Sequence, residues 1–121
     1  MLRTCLILSD DPDDHIEISE AIYEVSGNAA VMFMSDAEKA IELILLRNIM
    51  PDIIIVDTAL DGFNRDLFFE TIQHDHHLSA VTVVAYGATD ELSHWDHPNV
   101  CVFLENDISY TALRNTLSNL F

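Results

Sequence analysis

Four consecutive branched aliphatic residues, Ile53-Ile54-Ile55-Val56, stop abruptly at Asp57. A run this apolar on both faces and this rich in β-branching suits a strand covered from both sides, as an interior strand of a parallel sheet is. A second run, Leu6-Ile7-Leu8-Ser9, stops at Asp10 and Asp11. If the two strands are neighbours, their carboxylates meet at one sheet edge. Crowded carboxylates repel one another unless a hard divalent cation such as Mg²⁺ lies between them.

The rest of the chain alternates strand and helix patterns. Arg3 to Ser9 reads as the first strand. From Asp13 to about Ser26, the residues Ile18, Ala21, Ile22 and Val25 fall on one helical face, with Pro12 at the entry and Gly27-Asn28 at the exit. Ala29 to Met34 is a second strand. Ser35 with Glu38 three residues on has the form of a capping box for a second helix. The buried stripe of that helix is Ala37, Ala40, Ile41, Ile44 and Leu45, with Leu43 and Leu46 off it.

Pro51 precedes the third strand, Ile53 to Val56. Leu67, Phe68, Thr71 and Ile72 mark a third helix that fades into His74-Asp75-His76-His77. Val81 to Tyr86 is the fourth strand, followed by a short helix with Leu92 and Trp95. Val100 to Leu104 is the fifth strand. A last helix, capped by Ser109, carries Tyr110, Leu113, Leu117 and Leu120. Strict alternation predicts an α/β fold with a parallel sheet wound on both sides, its ligand at the carboxyl ends of the strands.

With 121 residues, half of them apolar, the chain forms one domain over 1–121. Five basic against twenty-one acidic residues give a net charge of −16. That charge excludes direct nucleic-acid binding and disfavours anionic membrane surfaces. No apolar run is long enough for a membrane span. Met1-Leu2-Arg3-Thr4-Cys5 enters a strand without signal-peptide features, so the expected location is cytoplasmic. Cys5 and Cys101 lie in apolar runs and read as buried thiols of a reducing compartment.

Three stretches together resemble a response-regulator receiver domain over essentially the whole chain. They are Ile7-Leu8-Ser9-Asp10-Asp11-Pro12-Asp13-Asp14, then Pro51-Asp52-Ile53-Ile54-Ile55-Val56-Asp57, then Leu60, Gly62 and Phe63. Asp-Pro-Asp-Asp particularly resembles single-domain receivers. The resemblance implies a flavodoxin-like (βα)5 fold with strand order 2-1-3-4-5. It implies Asp57 as phosphoacceptor and Mg²⁺ as cofactor, held by Asp11, Asp57, the Ala59 carbonyl and, directly or through water, Asp10. It also implies a histidine kinase or phosphotransfer protein as donor, a downstream protein partner, and a face used by some receivers for homodimers. Such a protein is a phosphoryl acceptor in signalling; no nucleophile–base constellation in the sequence marks it as an enzyme.

The family's switch residues do not match. Its fourth strand ends in threonine or serine, where this chain has Gly87 or, one residue earlier, Tyr86. Its fifth strand ends in lysine, where this chain has Asn106 or, one residue earlier, Glu105. The chain's one lysine, Lys39, sits on the second helix. Asp61 replaces the usual proline and Arg65 the usual glycine after Asp57, and the segment between the two switch positions is a few residues short. These departures imply an atypical receiver, or a pseudo-receiver that binds protein without phosphorylation. His74, His76 and His77 read as a solvated helix end, and His94 and His97 flank Trp95 and Pro98 without forming a ligand face.

Overall fold

The computed structural model describes residues 3–60, 62–76, 78–95 and 97–121, with the side chain of Cys101 excepted. The expectations for Met1, Leu2, Asp61, His77 and the Cys101 thiol lie outside the described residues. Ten elements alternate: β1 (Arg3–Leu8), α1 (Pro12–Val25), β2 (Ala29–Met34), α2 (Ala37–Leu45), β3 (Ile53–Asp57), α3 (Arg65–His74), β4 (Thr82–Gly87), α4 (Thr89–Leu92), β5 (Val100–Glu105) and α5 (Tyr110–Ser118). The strands form one parallel sheet in the order β2-β1-β3-β4-β5. The order reverses between β1 and β3, the switch point at which doubly wound sheets bind ligands.

Strand pleating divides the core in two. Leu6, Leu8, Ile54, Val56, Val83 and Ala85 face the side of α2 and α3. Cys5, Ile7, Ile53, Ile55, Val84 and Tyr86 face α1 and α5. The central strands are therefore buried on both faces, the condition that selects an unbroken aliphatic run. Cys5 is fully buried, and burial pushes its thiol up to about 12, making it an inert core residue. No helix of the described residues is long and apolar enough to cross a membrane.

Several boundaries differ from the sequence-based expectation. Ser35 does not cap α2; the Asp36 carboxylate accepts the Lys39 N–H at 3.0 Å and does so instead. Leu45 is 52% exposed, because the buried face of α2 runs through Ala37, Ala40 and Ile44 and the helix ends before another turn is covered. In α3 the buried residues are Phe68, Phe69 and Ile72, while Leu67 is 49% exposed. β4 starts and ends one residue later than expected and includes Gly87. Trp95 lies beyond the four-residue α4 and is buried against Phe63 and Phe69, with ring centroids 5.3 and 5.7 Å away.

Candidate functional site

Asp57 is the last residue of β3 and pairs with Tyr86 of β4. Both continue the α1/α5 side of the pleat, so the carboxylate and the phenol project from the same face of the sheet. Next door, Ser9 follows β1 and extends its ladder by donating its N–H to the Met34 carbonyl at 3.1 Å. Ser9 is 1% exposed, a polar side chain buried in an otherwise apolar core. Burying a hydroxyl is unfavourable unless it is bonded, and this one is bonded twice. It donates to Asp57 Oδ2 at 3.3 Å and accepts the Asp11 N–H at 3.1 Å.

The second Asp57 oxygen, Oδ1, accepts the Ala59 N–H at 2.9 Å. Burial is the chief cause that raises the Asp57 carboxyl above its ordinary value. The Ala59 and Ser9 hydrogen bonds oppose it, and the charges of Asp10 and Glu91 add to it. Asp14, on the first turn of α1, is likewise raised, mainly by burial and also by Asp11, Asp57 and Glu17. The Tyr86 phenol donates to Asp14 Oδ1 at 3.1 Å; burial first, and the Asp14 charge next, push that phenol upward. The site is thus a partly desolvated concentration of negative charge, the setting in which a cation binds favourably.

Asp10 and Asp11 are exposed at the same edge, directly after β1. Asp11 turns one oxygen to the Asp13 N–H at 2.9 Å and so caps α1. Among the described residues no three His, Cys, Asp or Glu side chains stand grouped as ligands of one ion. Asp11 is directed at its own helix, and Asp57 at Ser9 and Ala59. Ala59 is exposed in the turn after β3.

Gly87 ends β4 opposite Glu105, and its carbonyl accepts the Asn106 N–H at 3.0 Å. Glu105 and Asn106 are both exposed. Tyr86 is buried within the sheet. Arg65 starts α3, and its guanidinium donates to the His94 carbonyl. Lys39 is exposed on α2, 3.9 Å from Glu42. His97 stacks on Phe69 at 4.0 Å and its Nδ1 accepts the Asn99 N–H.

Four residues of this site escaped sequence reasoning: Ser9, Thr58, Asp14 and Glu91. Ser9 carried a signal, a hydroxyl inside an apolar strand run. Thr58 and Glu91, thirty-three residues apart, are joined by a 2.8 Å hydrogen bond that no local pattern announces. Asp14 and Tyr86 are separated by seventy-two residues.

No family model and no curated protein matches the sequence. Solved structures do, among them the phosphorylated cyanobacterial phytochrome response regulator RcpA, with a TM-score of 0.78, 19% identity, and coverage of 99% of this chain and 91% of that one. The chemotaxis response regulator CheY4 of Vibrio cholerae aligns at a TM-score of 0.76 and 13% identity over 100% of both chains. The Mn²⁺-bound form of response regulator Rcp1 aligns at 0.75 and 17% identity, covering 98% of this chain and 91% of that one. At these identities the likeness establishes the fold: the chain has the receiver fold of response regulators.

Proposed function

We propose that this chain is a receiver of phosphorelay signalling, with Asp57 accepting a phosphoryl group and a downstream protein partner reading the result. The observation that supports the reading is the setting of Asp57. It ends a central strand beside the switch point, each oxygen is oriented by its own donor, and acidic residues surround it. An ionised carboxylate is already a nucleophile and needs no general base. One Asp57 oxygen attacks phosphorus, the bond from phosphorus to the donor's leaving atom breaks, and its electron pair departs with the donor. A phosphohistidine of a histidine kinase or phosphotransfer protein fits as donor, as does a small acyl phosphate. Ser9 and the Ala59 N–H hold the carboxylate plane during the attack.

Asp10, Asp11, Asp57 and the Ala59 carbonyl are the groups that would hold Mg²⁺. Their oxygen-only donor set suits a hard divalent cation, which would have to draw Asp11 from its helix cap and Asp57 from Ser9 and Ala59, since the three carboxylates do not stand grouped beforehand. Bound there, it would neutralise the charge that develops on the phosphoryl oxygens. The test is intact mass after incubation with Mg²⁺ and acetyl phosphate. A gain of one phosphoryl group, removed by hydroxylamine and absent in Asp57→Asn, is the expected result.

The second reading, a pseudo-receiver that binds protein without phosphorylation, is favoured by one observation. The end of β4 offers no short hydroxyl, since Gly87 has no side chain and the Tyr86 phenol is bonded to Asp14, and Asn106 offers no cation in place of the family's lysine. Absence of any adduct would select that reading.

A further inference from the structure

The volume beside Gly87 is already filled. A Cβ on Gly87 would lie 1.9 Å from Thr58 Oγ1, with the Thr58 Cβ at 3.2 Å and Cγ2 at 3.4 Å. Non-bonded atoms do not approach that closely, so the space a side chain at 87 would enter belongs to the Thr58 hydroxyl. That hydroxyl donates to Glu91 Oε2 of α4 at 2.8 Å, while the Thr58 N–H donates to the Tyr86 carbonyl at 2.9 Å. The residue directly after Asp57 is therefore fastened to β4 by its backbone and to α4 by its side chain. A second, apolar tie runs in parallel. Phe63, from the loop after Asp57, stacks on Trp95, which follows α4.

We propose that Thr58 is the positioning residue that takes the place of the missing side chain at 87, its hydroxyl tying the loop after Asp57 to α4 through Glu91. The coupling it provides rests on Asp57 being the reacting residue. Thr58 has one hydroxyl proton. A phosphoryl group on the adjacent Asp57 competes with Glu91 for it, and transfer of that hydrogen bond frees α4 and changes the surroundings of Trp95. Glu91 is suited to release because its own negative charge bears on Asp57 and repels a second anion there.

Trp95 is the chain's one tryptophan, so its fluorescence reports this segment alone. The full chain, Thr58→Val, Thr58→Ser and Glu91→Ala are compared in three measurements. These are intact mass after acetyl phosphate with Mg²⁺, Trp95 emission with and without beryllofluoride and Mg²⁺, and the urea midpoint. Adduct in wild type and Thr58→Val, with an emission shift in wild type and Thr58→Ser that is lost in Thr58→Val, supports the proposal. Adduct with an undiminished shift in Thr58→Val overturns it and leaves phosphoryl acceptance standing. No adduct in wild type overturns phosphoryl acceptance, and the urea data then decide the tie. A Thr58→Val/Glu91→Ala double variant no less stable than the worse single supports it, whereas additive losses overturn it.

Discussion

The Ser9 hydroxyl bridges the ends of β1 and β3, donating to Asp57 Oδ2 at 3.3 Å while accepting the Asp11 N–H at 3.1 Å. One buried side chain thereby sets the plane of the Asp57 carboxylate and the turn that presents Asp10 and Asp11. Ser9→Ala removes a donor to the ionised carboxylate and leaves the Asp11 N–H to find water. The Asp57 carboxyl is expected to rise further, because a bond that favours the charged form is gone. Stability falls by about 1 kcal/mol, the usual net worth of such a hydrogen bond. Urea unfolding measures the loss, and a side-chain carboxyl NMR titration measures the shift. An unchanged Asp57 titration would show that Ser9 does not orient it.

Asp57 and Asp14 also give stability a definite pH dependence. Both carboxyls are raised in the folded state, mainly by burial. Between the ordinary carboxylate value and the raised one, the folded chain binds more protons than the unfolded chain. Stability therefore increases as pH falls through that window and decreases as pH rises through it. At neutral pH, without divalent metal, Asp57→Asn and Asp14→Asn are each expected to raise Tm. The gain should disappear below the window. Relief of general self-repulsion also favours the folded state on mild acidification, given the net charge of −16. The comparison between variant and wild type isolates the two carboxyls, and a Tm difference that does not change with pH would refute the assignment.

The fold was legible because its determinants are local. The apolar runs ending at Asp10 and Asp57 mark strands buried on both sides, and the alternation with helices leaves few topologies. Side-chain facing at helix ends was less legible. Leu67, Phe68, Thr71 and Ile72 mark α3 in the sequence, yet Leu67 is 49% exposed and Phe69, outside that pattern, is buried. Hydrophobicity alone does not separate adjacent apolar residues when only one face of the helix meets the sheet. The polar half of the site was least legible. Thr58–Glu91 and Tyr86–Asp14 are tertiary pairs whose partners acquire meaning only after β3, β4, α1 and α4 are assembled.

The α3 facing is directly measurable. Phe68 is 1% exposed and packs with Phe63 and Phe69, with ring centroids 5.1 and 5.3 Å away. Phe68→Ala is expected to cost about 3–5 kcal/mol through lost burial and the cavity left behind. Leu67→Ala, one residue earlier, should stay within about 0.5 kcal/mol of wild type. Comparable losses in urea midpoint for the two variants would contradict the observed facing.

Placing a hydroxyl side chain at 87 and a cation at 106 calls for a third substitution to preserve stability, because a Cβ at 87 collides with the Thr58 hydroxyl as it now stands. Gly87→Thr with Asn106→Lys introduces a Cβ 1.9 Å from Thr58 Oγ1, so Thr58 must rotate and give up its bond to Glu91. Overpacking of this kind typically costs about 1–3 kcal/mol. Thr58→Ala removes both the hydroxyl and the methyl, leaving only the Cβ contact at 3.2 Å, which a small backbone adjustment absorbs. The triple variant should therefore recover most of the stability that the double variant loses, measured by urea midpoint. It should also take up phosphoryl groups from acetyl phosphate faster than wild type, since Lys at 106 adds a cation near the exposed end of β5. A triple variant no more stable than the double would show that Thr58 is not the obstacle. Equal phosphorylation rates in triple variant and wild type would show that the loss of lysine does not limit the chemistry at Asp57.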